Sequence, residues 1–364
     1  MLKIENQHTP LNNYKFIDLF AGIGGFHYAL KSFGAECIFA SEIDKKTAEV
    51  YRLNHNLKPE GDITEIDEKN IPKHDILCAG FPCQAFSISG KQKGFEDTRG
   101  TLFFDIARII NYHQPKILLL ENVKNFVRHD NGKTLKTVIN TLENLNYTIV
   151  YKVLNTSNFG LPQNRERVYI VGFNNTYFDD VEFEFLNPKL TSALEDILEK
   201  KPKNGKIIER DDISFYRNFK PTKNIFGEIE IPNKPIQIGK VNKGGQGERI
   251  YHPKGHAITL SAQGGGAGSK TGLYKIGNAI RKLSPRECAR LQGFPENFIT
   301  PNSIPAAQKQ FGNSVSINVL QFILKVIAKT ISKNDRQSTI RLSNSQKRIQ
   351  ERERYSSEIQ QLAK

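Results

Sequence analysis

The stretch KFIDLFAGIGGF, residues Lys15–Phe26, joins a short apolar run to three closely spaced glycines. The run is typical of a buried strand, and the glycines let the backbone turn tightly and approach a ligand closely. A helical pattern follows through Leu30. The complete G-x-G-x-x-G dinucleotide fingerprint is not present. Taken alone, this strand–turn–helix unit is as consistent with a structural turn as with a nucleotide site.

Outward from this unit, strands alternate with helices through the first half of the chain. Helical patterns cover 41–54, 102–112 and 134–145, and strand patterns cover 36–40, 74–79, 116–120, 147–155 and 167–173. Helices between strands indicate β-α-β units and predict an α/β fold with a parallel sheet and helices on both faces. Right-handed crossovers then bring the carboxyl ends of the strands, and any ligand, to one edge.

The composition limits the classes of protein that the chain can belong to. Of its 364 residues 38% are hydrophobic, so the chain can bury a core and is not globally disordered. No apolar run reaches the roughly 18–20 residues that span a bilayer, and the polar segment 1–10 lacks a secretory signal. We expect no membrane partner. The formal net charge of +14 makes a polyanion the first partner to consider, beside a merely basic surface.

The four cysteines, Cys37, Cys78, Cys83 and Cys288, form neither a C-x-x-C pair nor a zinc pattern with histidine. We therefore expect no metal site. So few thiols in a chain of this length do not form a disulfide scaffold, which favours a reducing cytoplasm.

The composition changes after about residue 174, where Pro, Gly and Lys are irregularly spaced and two glycine clusters occur, at 243–247 and 263–268. Helical patterns return at 285–292 and 316–331. The polar tail carries +4 of the net charge, with eight Lys and Arg against four Asp and Glu. We predict four parts: a first domain, 1–190; a smaller, glycine-rich, mostly β domain, 191–284; a return to the first domain, 285–332; and the tail, 333–364.

Two acidic residues follow early strand patterns. Glu42 ends the second strand, where a carboxylate can accept hydrogen bonds from both ribose hydroxyls of an adenosine. Asp62, in Gly61-Asp62-Ile63-Thr64, can accept one from an adenine amino group. Together with the glycine turn, they favour a nucleoside cofactor.

Two reactive groups are expected at the same edge. Cys83, in Gly80-Phe81-Pro82-Cys83, lies on a loop where a thiol can be exposed and activated; the alternative is a packing cysteine in a turn. Glu121 ends a nearly all-apolar strand, where partial desolvation raises the pKa and lets the carboxyl group donate a proton near neutral pH. The alternative interpretation is that Glu121 is an ordinary acidic residue at the start of a helix.

These residues, with three further blocks, resemble the DNA cytosine-5 methyltransferase family. The similar blocks occur in the family's order from about residue 15 to 330, and they are Asp18–Phe26, Gly80–Ser87, Glu121–Val123, Gln163–Arg167, Arg281–Phe294 and Gln310–Val315. The stretches 87–110 and 244–272 are similar to those of bacterial enzymes that methylate the inner cytosine of GCGC. The resemblance implies a Rossmann-like, S-adenosylmethionine-dependent methyltransferase domain with a smaller target-recognition domain.

The resemblance also implies a covalent mechanism on a cytosine that is flipped out of double-stranded DNA. Cys83 would attack C6 and make C5 enamine-like. Glu121 would hold N3 and the exocyclic amine, and Arg165 and Arg167 would orient and polarise the pyrimidine carbonyl and the nearby backbone. Methyl transfer from S-adenosylmethionine would give S-adenosylhomocysteine, and loss of the C5 proton would then expel Cys83.

The cofactor residues carry over from the family by position. They are Phe20, Gly22, Gly24, Gly25, Glu42, Ile43, Asp62, Pro82, Leu102, Asn313 and Val315. Ile43 departs from the family pattern, in which this position is often aromatic, so adenine would pack on an aliphatic face.

The DNA contacts implied by the resemblance come from two regions. The segment 84–100 would close over DNA, and Gln246 and Arg249 would pair with the orphaned guanine and read a guanine edge in the major groove. The alternatives are a plain surface loop and flexible glycine connectors. The implied DNA-binding residues are Gln84, Ser87, Ser89, Arg99, Gln246 and Arg249.

The family resemblance further implies a restriction-modification system with a cognate restriction endonuclease. It also implies a monomer located in the cytoplasm with the nucleoid. A GCGC target rests on the resemblance alone, and the sequence departs from the pattern at Gln263 and 267–269.

Two other classes compete with this interpretation. A dinucleotide-dependent oxidoreductase requires the complete glycine fingerprint and has no use for Cys83 with Glu121. A non-catalytic or tRNA-directed relative is disfavoured by the intact pair and by the long glycine-rich segment, which favours DNA over RNA.

Overall fold

Six strands from residues 15–174 form one sheet in the computed structural model of the chain, which describes residues 10–82, 102–202, 205–216, 227, 232–262, 264–301 and 303–335. The order across this sheet is β2-β1-β3-β4-β6-β5. The strands are β1 Lys15–Leu19, β2 Glu36–Ser41, β3 Ile76–Gly80, β4 Ile117–Val123, β5 Tyr147–Asn155 and β6 Glu166–Asn174.

The first four strands are parallel, as predicted, whereas β6 runs antiparallel to both β4 and β5. Because it is antiparallel to β6, β5 points the same way as the first four strands, so the prediction of a wholly parallel sheet was wrong for β6 alone. The connection from β5 to β6 contains only one 3₁₀ turn, Thr156–Asn158. Such a short connection suits antiparallel neighbours, because parallel neighbours need a crossover of a dozen or more residues.

Helices cover both faces of the sheet. Alternate residues of one strand face opposite sides, so Leu118 and Leu120 pack in the core beneath α3 and α4, while Leu119 packs in the core beneath α1, α5, α6 and α7. The helices are α1 Gly25–Lys31, α2 Lys45–His55, α3 Leu102–His113, α4 Lys133–Asn144, α5 Pro285–Leu291, α6 Ile304–Asn313 and α7 over 317–335.

Among the described residues, one helical stretch, Ile304–Asp335, is long and apolar enough to cross a membrane by length and composition alone. It is interrupted at 314–316, and 67% of its most apolar window is buried inside the protein. Ile323, Leu324 and Ile327 belong to the core of the large sheet. The apolar character of the stretch is thus accounted for by packing against the sheet.

A second, five-stranded sheet has the order β11-β10-β9-β8-β7. Its own small core is formed by Ile238, Val241, Ile250, Leu273 and Ile280. Other residues of this region pack into the core of the large sheet, namely Tyr251, Ala257, Leu260 and Tyr274. The two sheets therefore share buried surface. The strands are β7 Ser214–Phe215, β8 Ile236–Lys240, β9 Arg249–His252, β10 Leu273–Ile276 and β11 Ala279–Arg281.

A buried ion pair ties the second sheet to α5. Arg281, at the end of β11, donates from Nη1 and Nη2 to the two carboxylate oxygens of Glu287, each at 2.7 Å. Ser284, the N-cap of α5, donates its backbone N–H to Glu287 at 2.8 Å. Because both charges are desolvated, this paired geometry is costly to break, and it fixes where β11 meets α5.

Candidate active site and cofactor cavity

A cavity of about 670 Å³ lies at the carboxyl ends of the parallel strands. Its wall combines the turn after β1, the ends of β2, β3 and β4, and residues of α6. The structure brings together there most of the described residues predicted for catalysis and cofactor binding, which are Phe20, Gly22, Glu42, Ile43, Asp62, Pro82, Leu102, Glu121, Arg165, Arg167 and Asn313.

Three residues predicted to bind the cofactor are not among those lining this cavity: Gly24, Gly25 and Val315. A Cβ atom at Gly24, whose φ is 84°, would collide with the imidazole of His55. A Cβ atom at Gly25 would lie 2.5 Å from Cγ2 of Val315. These glycines therefore allow close packing beneath the turn. In a sequence, a glycine needed for packing looks the same as a glycine needed for cofactor binding.

The turn after β1 is left-handed at two positions that face the cavity. Phe20 has a φ of 54° and Gly22 a φ of 58°. The left-handed region is uncommon for a residue with a side chain, and such strain concentrates at functional sites. No atom lies within 4 Å of a Cβ position at Gly22 among the described residues, so a ligand can approach its backbone.

A layer of buried polar groups lies beneath this turn. Asp18 is fully buried, and neither of its carboxylate oxygens has a hydrogen-bond partner among the described residues. Burial raises the pKa of Asp18 well above its usual range, and the nearby His27 backbone N–H offsets only part of this effect. His27 contacts the Tyr51 hydroxyl at 2.7 Å, and burial lowers its pKa to about 2.

Glu42 is held in place by backbone amides. Its two carboxylate oxygens accept from the N–H of Gly22 at 2.9 Å and of Asp44 at 2.8 Å. Burial raises the pKa of Glu42, and these two N–H groups offset part of the effect. A carboxylate has about four acceptor sites, so two remain for hydroxyl groups in the cavity.

Two neighbouring residues fit a nucleoside beside Glu42. Ile43 is 69% exposed and presents an apolar surface in the cavity wall. Asp62 accepts at Oδ1 from the N–H and hydroxyl of Thr64, which fixes its orientation. An acid at the end of β2, an aliphatic surface beside it and a second acid at the start of the 3₁₀ turn Ile63–Glu65 suit the ribose and base of an adenosine, so the residues present fit such a cofactor.

Glu121, which is buried, pairs with the half-buried Arg167 on the other side of the cavity. Glu121 stands opposite Gly80 in the register of β3 and β4. Arg167 Nε lies 3.1 Å from Glu121 Oε1, an ion pair whose angle does not make a hydrogen bond. Burial raises the pKa of Glu121, and Arg167 and then Arg165 oppose this rise. The predicted raised pKa is confirmed in direction.

Arg165 is engaged differently from Arg167. Its side chain is buried, and its guanidinium donates to the carbonyls of Leu260 at 3.0 Å, Gly312 at 3.1 Å and Ser314 at 2.7 Å. Burial lowers its pKa to about 9. Both terminal nitrogens are thus bound to backbone carbonyls, as the predicted role at the nearby backbone requires, and a role of Arg165 at the pyrimidine carbonyl stays a prediction.

Sequence reasoning missed several residues of the cavity wall. Asn122 donates from Nδ2 to the Phe81 carbonyl at 2.9 Å and accepts the Val123 N–H at Oδ1, so it ties the end of β4 to the residues that precede Cys83. Across the cavity, Lys309 pairs with Asp44 at 3.4 Å. The available signal was position, since these residues lie within or beside the blocks quoted above.

A second cavity of about 360 Å³ lies at the smaller sheet. It brings together Gln246 and Arg249, the two described residues predicted to contact DNA bases. Its remaining lining residues are Asn164, Pro235, Tyr251, Ile258 and Thr259.

The remaining predicted site residues lie outside the described residues. Cys83, Gln84, Ser87, Ser89 and Arg99 all belong to the segment 83–101. Pro82, the last described residue before it, lies in the cavity wall. Within the described ranges, no group of three His, Cys, Asp or Glu side chains could hold a metal ion.

The mixed α/β sheet, with a cavity at its strand ends and a smaller second sheet, has the fold of the Rossmann-like methyltransferases. The chain belongs to the C-5 cytosine-specific DNA methylase family, whose family model matches residues 14–329. The family resemblance predicted from the ordered blocks is confirmed, and the chain is a DNA cytosine-5 methyltransferase by family.

Relatives support this assignment over nearly the whole chain. The chain is 51% identical over 332 residues to the type II methyltransferase M.HhaI of Haemophilus parahaemolyticus, covering 90% of this chain and 98% of that enzyme. It is 45% identical over 328 residues to M.HpaII of Haemophilus parainfluenzae, covering 87% of this chain and 90% of that enzyme.

Solved structures agree on the fold. The crystal structure of the S. pombe Dnmt2 methyltransferase aligns with a TM-score of 0.63 at 21% identity, covering 87% of this chain and 99% of that one. At this identity the likeness shows the fold alone, and it confirms the predicted α/β, Rossmann-like class.

Proposed function

We propose that the chain is the modification enzyme of a restriction-modification system and transfers a methyl group from S-adenosylmethionine to C5 of cytosine in double-stranded DNA. The observation that carries this proposal is the ion pair between the buried Glu121 and Arg167, at 3.1 Å, in the same cavity as Glu42 and Asp62. A carboxyl group with a raised pKa, such as that of Glu121, suits hydrogen bonding to a neutral base. Glu42 and Asp62 on the opposite side of the cavity suit a nucleoside cofactor.

The reacting cytosine leaves the duplex, because its C6 and C5 atoms cannot be reached inside the base stack. Glu121 holds N3 and the exocyclic amine, and it offsets the negative charge that develops on the ring. Arg167, which is partly exposed beside Glu121, orients the pyrimidine carbonyl. Asn122 supports the backbone that leads to Cys83.

Cys83 acts as the nucleophile of this reaction. Its thiolate forms a bond with C6, which places electron density on C5. The residues around the first cavity would hold S-adenosylmethionine, whose sulfonium would supply an electrophilic methyl group to C5 with S-adenosylhomocysteine as the leaving group. Loss of the proton from C5 then re-forms the C5–C6 double bond and expels the Cys83 thiolate, so the enzyme returns to its starting state.

The residues that hold the cofactor lie around the first cavity. Glu42 binds the ribose, Asp62 the adenine amino group, and Ile43 a face of the adenine. The turn at Phe20 and Gly22 lines the methionine part, and the wall is completed by Pro82, Leu102 and Asn313. Gly24, Gly25 and Val315 support the turn by packing.

The target is a GCGC sequence or a site that contains it. The similarity of 244–272 to enzymes that methylate GCGC supports this target, and Gln246 and Arg249 share the wall of the second cavity. Gln84, Ser87, Ser89 and Arg99 provide further DNA contacts. We also propose a cytoplasmic, nucleoid-associated monomer, without a membrane partner, that works beside a cognate restriction endonuclease.

The direct test incubates the purified chain with labelled S-adenosylmethionine and duplex DNA of random sequence, followed by nucleoside analysis and bisulfite mapping. The expected product is 5-methylcytosine, confined to the inner cytosine of GCGC. Label on N4 of cytosine or on adenine would contradict the reaction. Label appearing only when tRNA replaces DNA would favour a tRNA-directed enzyme instead.

The nucleophile is tested by Cys83→Ser. This variant is expected to lose methylation while it still binds duplex DNA in a gel-shift assay. Cys37→Ser is the matched control, because Cys37 lies at the edge of the core and its thiol hydrogen-bonds the Phe39 carbonyl and the Tyr51 hydroxyl, partners that a serine hydroxyl can also use. Normal turnover by Cys83→Ser would remove Cys83 from this role.

A further inference from the structure

The guanidinium of Arg165 joins three separate segments of the chain. Arg165 itself precedes β6, and its backbone is tied to the end of β5, because its N–H donates to Asn155 Oδ1 at 3.0 Å. Its side chain donates to the Leu260 carbonyl before the second glycine cluster, and to the Gly312 and Ser314 carbonyls at the end of α6. One buried side chain therefore fixes the relative positions of these segments.

The chemistry of these contacts requires arginine. A buried cation needs its donors satisfied, and in Arg165, which is only 2% exposed, both terminal nitrogens donate to carbonyls while Nε has no partner among the described residues. A planar guanidinium presents several donors in a fixed fork, whereas a lysine ammonium is a point charge that cannot reach three diverging carbonyls. The segments are also in direct contact, since a Cβ atom at Gly312 would lie 2.5 Å from the Ser261 carbonyl carbon.

One side of this junction leads to the residues proposed to contact DNA. Ser261, next to Leu260, donates its N–H to the Lys270 carbonyl at 3.0 Å, which closes the segment that holds the second glycine cluster. Gly268 of this segment donates to the Gly247 carbonyl at 2.7 Å. Gly247 adjoins Gln246, which lines the second cavity.

The other side of the junction leads to the first cavity. Gly312, whose carbonyl accepts from Arg165, lines that cavity together with Asn313. Ser314, the C-cap of α6, accepts the shortest of the three bonds. A shift of the 260–262 segment would therefore be transmitted to the cavity wall through Arg165 and through the close contact at Gly312.

We infer that Arg165 is a positioning residue that couples DNA recognition at the smaller sheet to cofactor binding in the first cavity. This inference rests on the proposed function. Coupling is reciprocal, so DNA should tighten cofactor binding by the same factor by which the cofactor tightens DNA binding. Coupling between two sites typically corresponds to roughly 5- to 150-fold in affinity.

The test measures the dissociation constant of S-adenosylhomocysteine by calorimetry, with and without a duplex that contains GCGC. For the wild-type chain we expect a ratio of at least about fivefold. For Arg165→Lys, which keeps the charge but not the fork, we expect the ratio to fall towards one. Arg286→Lys is the matched control, because Arg286 also donates to two carbonyls, of Pro295 and Phe298, but within one segment. Its ratio should equal that of the wild type.

A wild-type ratio retained by Arg165→Lys would overturn the inference, as would a wild-type chain that binds both ligands without coupling. A wild-type chain that binds neither ligand would instead contradict the proposed function. If Arg165→Lys does not fold, as judged by thermal unfolding, Gly312→Ala provides the second variant. It leaves Arg165 intact but separates the 260–262 segment from α6, and it should also lower the ratio; an unchanged ratio would again overturn the inference.

Discussion

Glu121 and Arg167 meet across adjacent antiparallel strands, with 3.1 Å between Oε1 and Nε. Tyr169 lies opposite Glu121 in the register of β4 and β6, and Arg167 is two residues from Tyr169. Since alternate strand residues share a face, the guanidinium reaches the carboxylate diagonally. Burial raises the pKa of Glu121 while Arg167 lowers it, so the protonation of this carboxyl group depends on both effects.

Replacing Glu121 by glutamine should abolish most of the methyl transfer. The amide keeps the shape but cannot supply a proton, and we expect the single-turnover rate to fall about 10²- to 10³-fold. The control is Glu166→Gln, because Glu166 is an exposed acid that pairs with Lys124 and should leave the rate unchanged. Similar rates for both variants would contradict the role of Glu121.

Removing Arg167 should raise the pKa of Glu121 further. Arg167 is the larger of the two cationic influences that lower this pKa, so in Arg167→Met the carboxyl group should remain protonated to a higher pH. Isotope-edited infrared spectroscopy of the Glu121 carboxylic acid band measures this directly. A band that disappears at a lower pH than in the wild type would show that the sign is wrong.

Glu42→Gln should weaken cofactor binding. One negative charge and part of the acceptor capacity are lost, and hydrogen bonds to charged groups contribute about 1.5–3 kcal/mol, which corresponds to about 10- to 100-fold in affinity. Calorimetric titration with S-adenosylhomocysteine checks this change. Glu49→Gln, on the exposed face of α2 where Glu49 pairs with Arg52, should bind as the wild type does.

Asp18→Asn should stabilise the protein increasingly as the pH rises. The folded-state pKa of Asp18 is raised, so the folded chain holds this proton more tightly than the unfolded chain does. The stability that the proton contributes is complete below the unfolded pKa of about 3.9 and is lost as the pH rises through the folded pKa. Asparagine does not titrate. The melting temperature of the variant relative to the wild type should therefore be higher at pH 8 than at pH 4, and the reverse order would contradict this account.

The positions of the acids could be predicted because the carboxyl ends of parallel strands meet at one edge. Glu42 and Glu121 follow this rule and line one cavity. Asp62 lines it too, but the strand end predicted for it was wrong, because Asp62 caps the 3₁₀ turn Ile63–Glu65. The direction of β6 could not be predicted in the same way, since a period of two residues reads identically in both directions of a strand.

The partners of Arg165 and Gly24 were hidden for a different reason. Arg165 binds backbone carbonyls, and a carbonyl group is present at every residue, so no sequence pattern marks it. Gly24 is required by the imidazole of His55, and a glycine that makes room for a side chain cannot be distinguished from one that makes room for a cofactor. Both relationships depend on residues far apart in the chain.

The shared core of the two sheets has a consequence for redesign. Tyr251, Ala257, Leu260 and Tyr274 come from the region of the smaller sheet but pack with residues such as Phe311 and Leu320. A recognition segment moved from one relative into another would therefore carry part of the donor protein's hydrophobic core with it. Chimeras that exchange target preference between relatives should fold when these four side chains are kept and only the other residues that line the second cavity, apart from Tyr251, are exchanged.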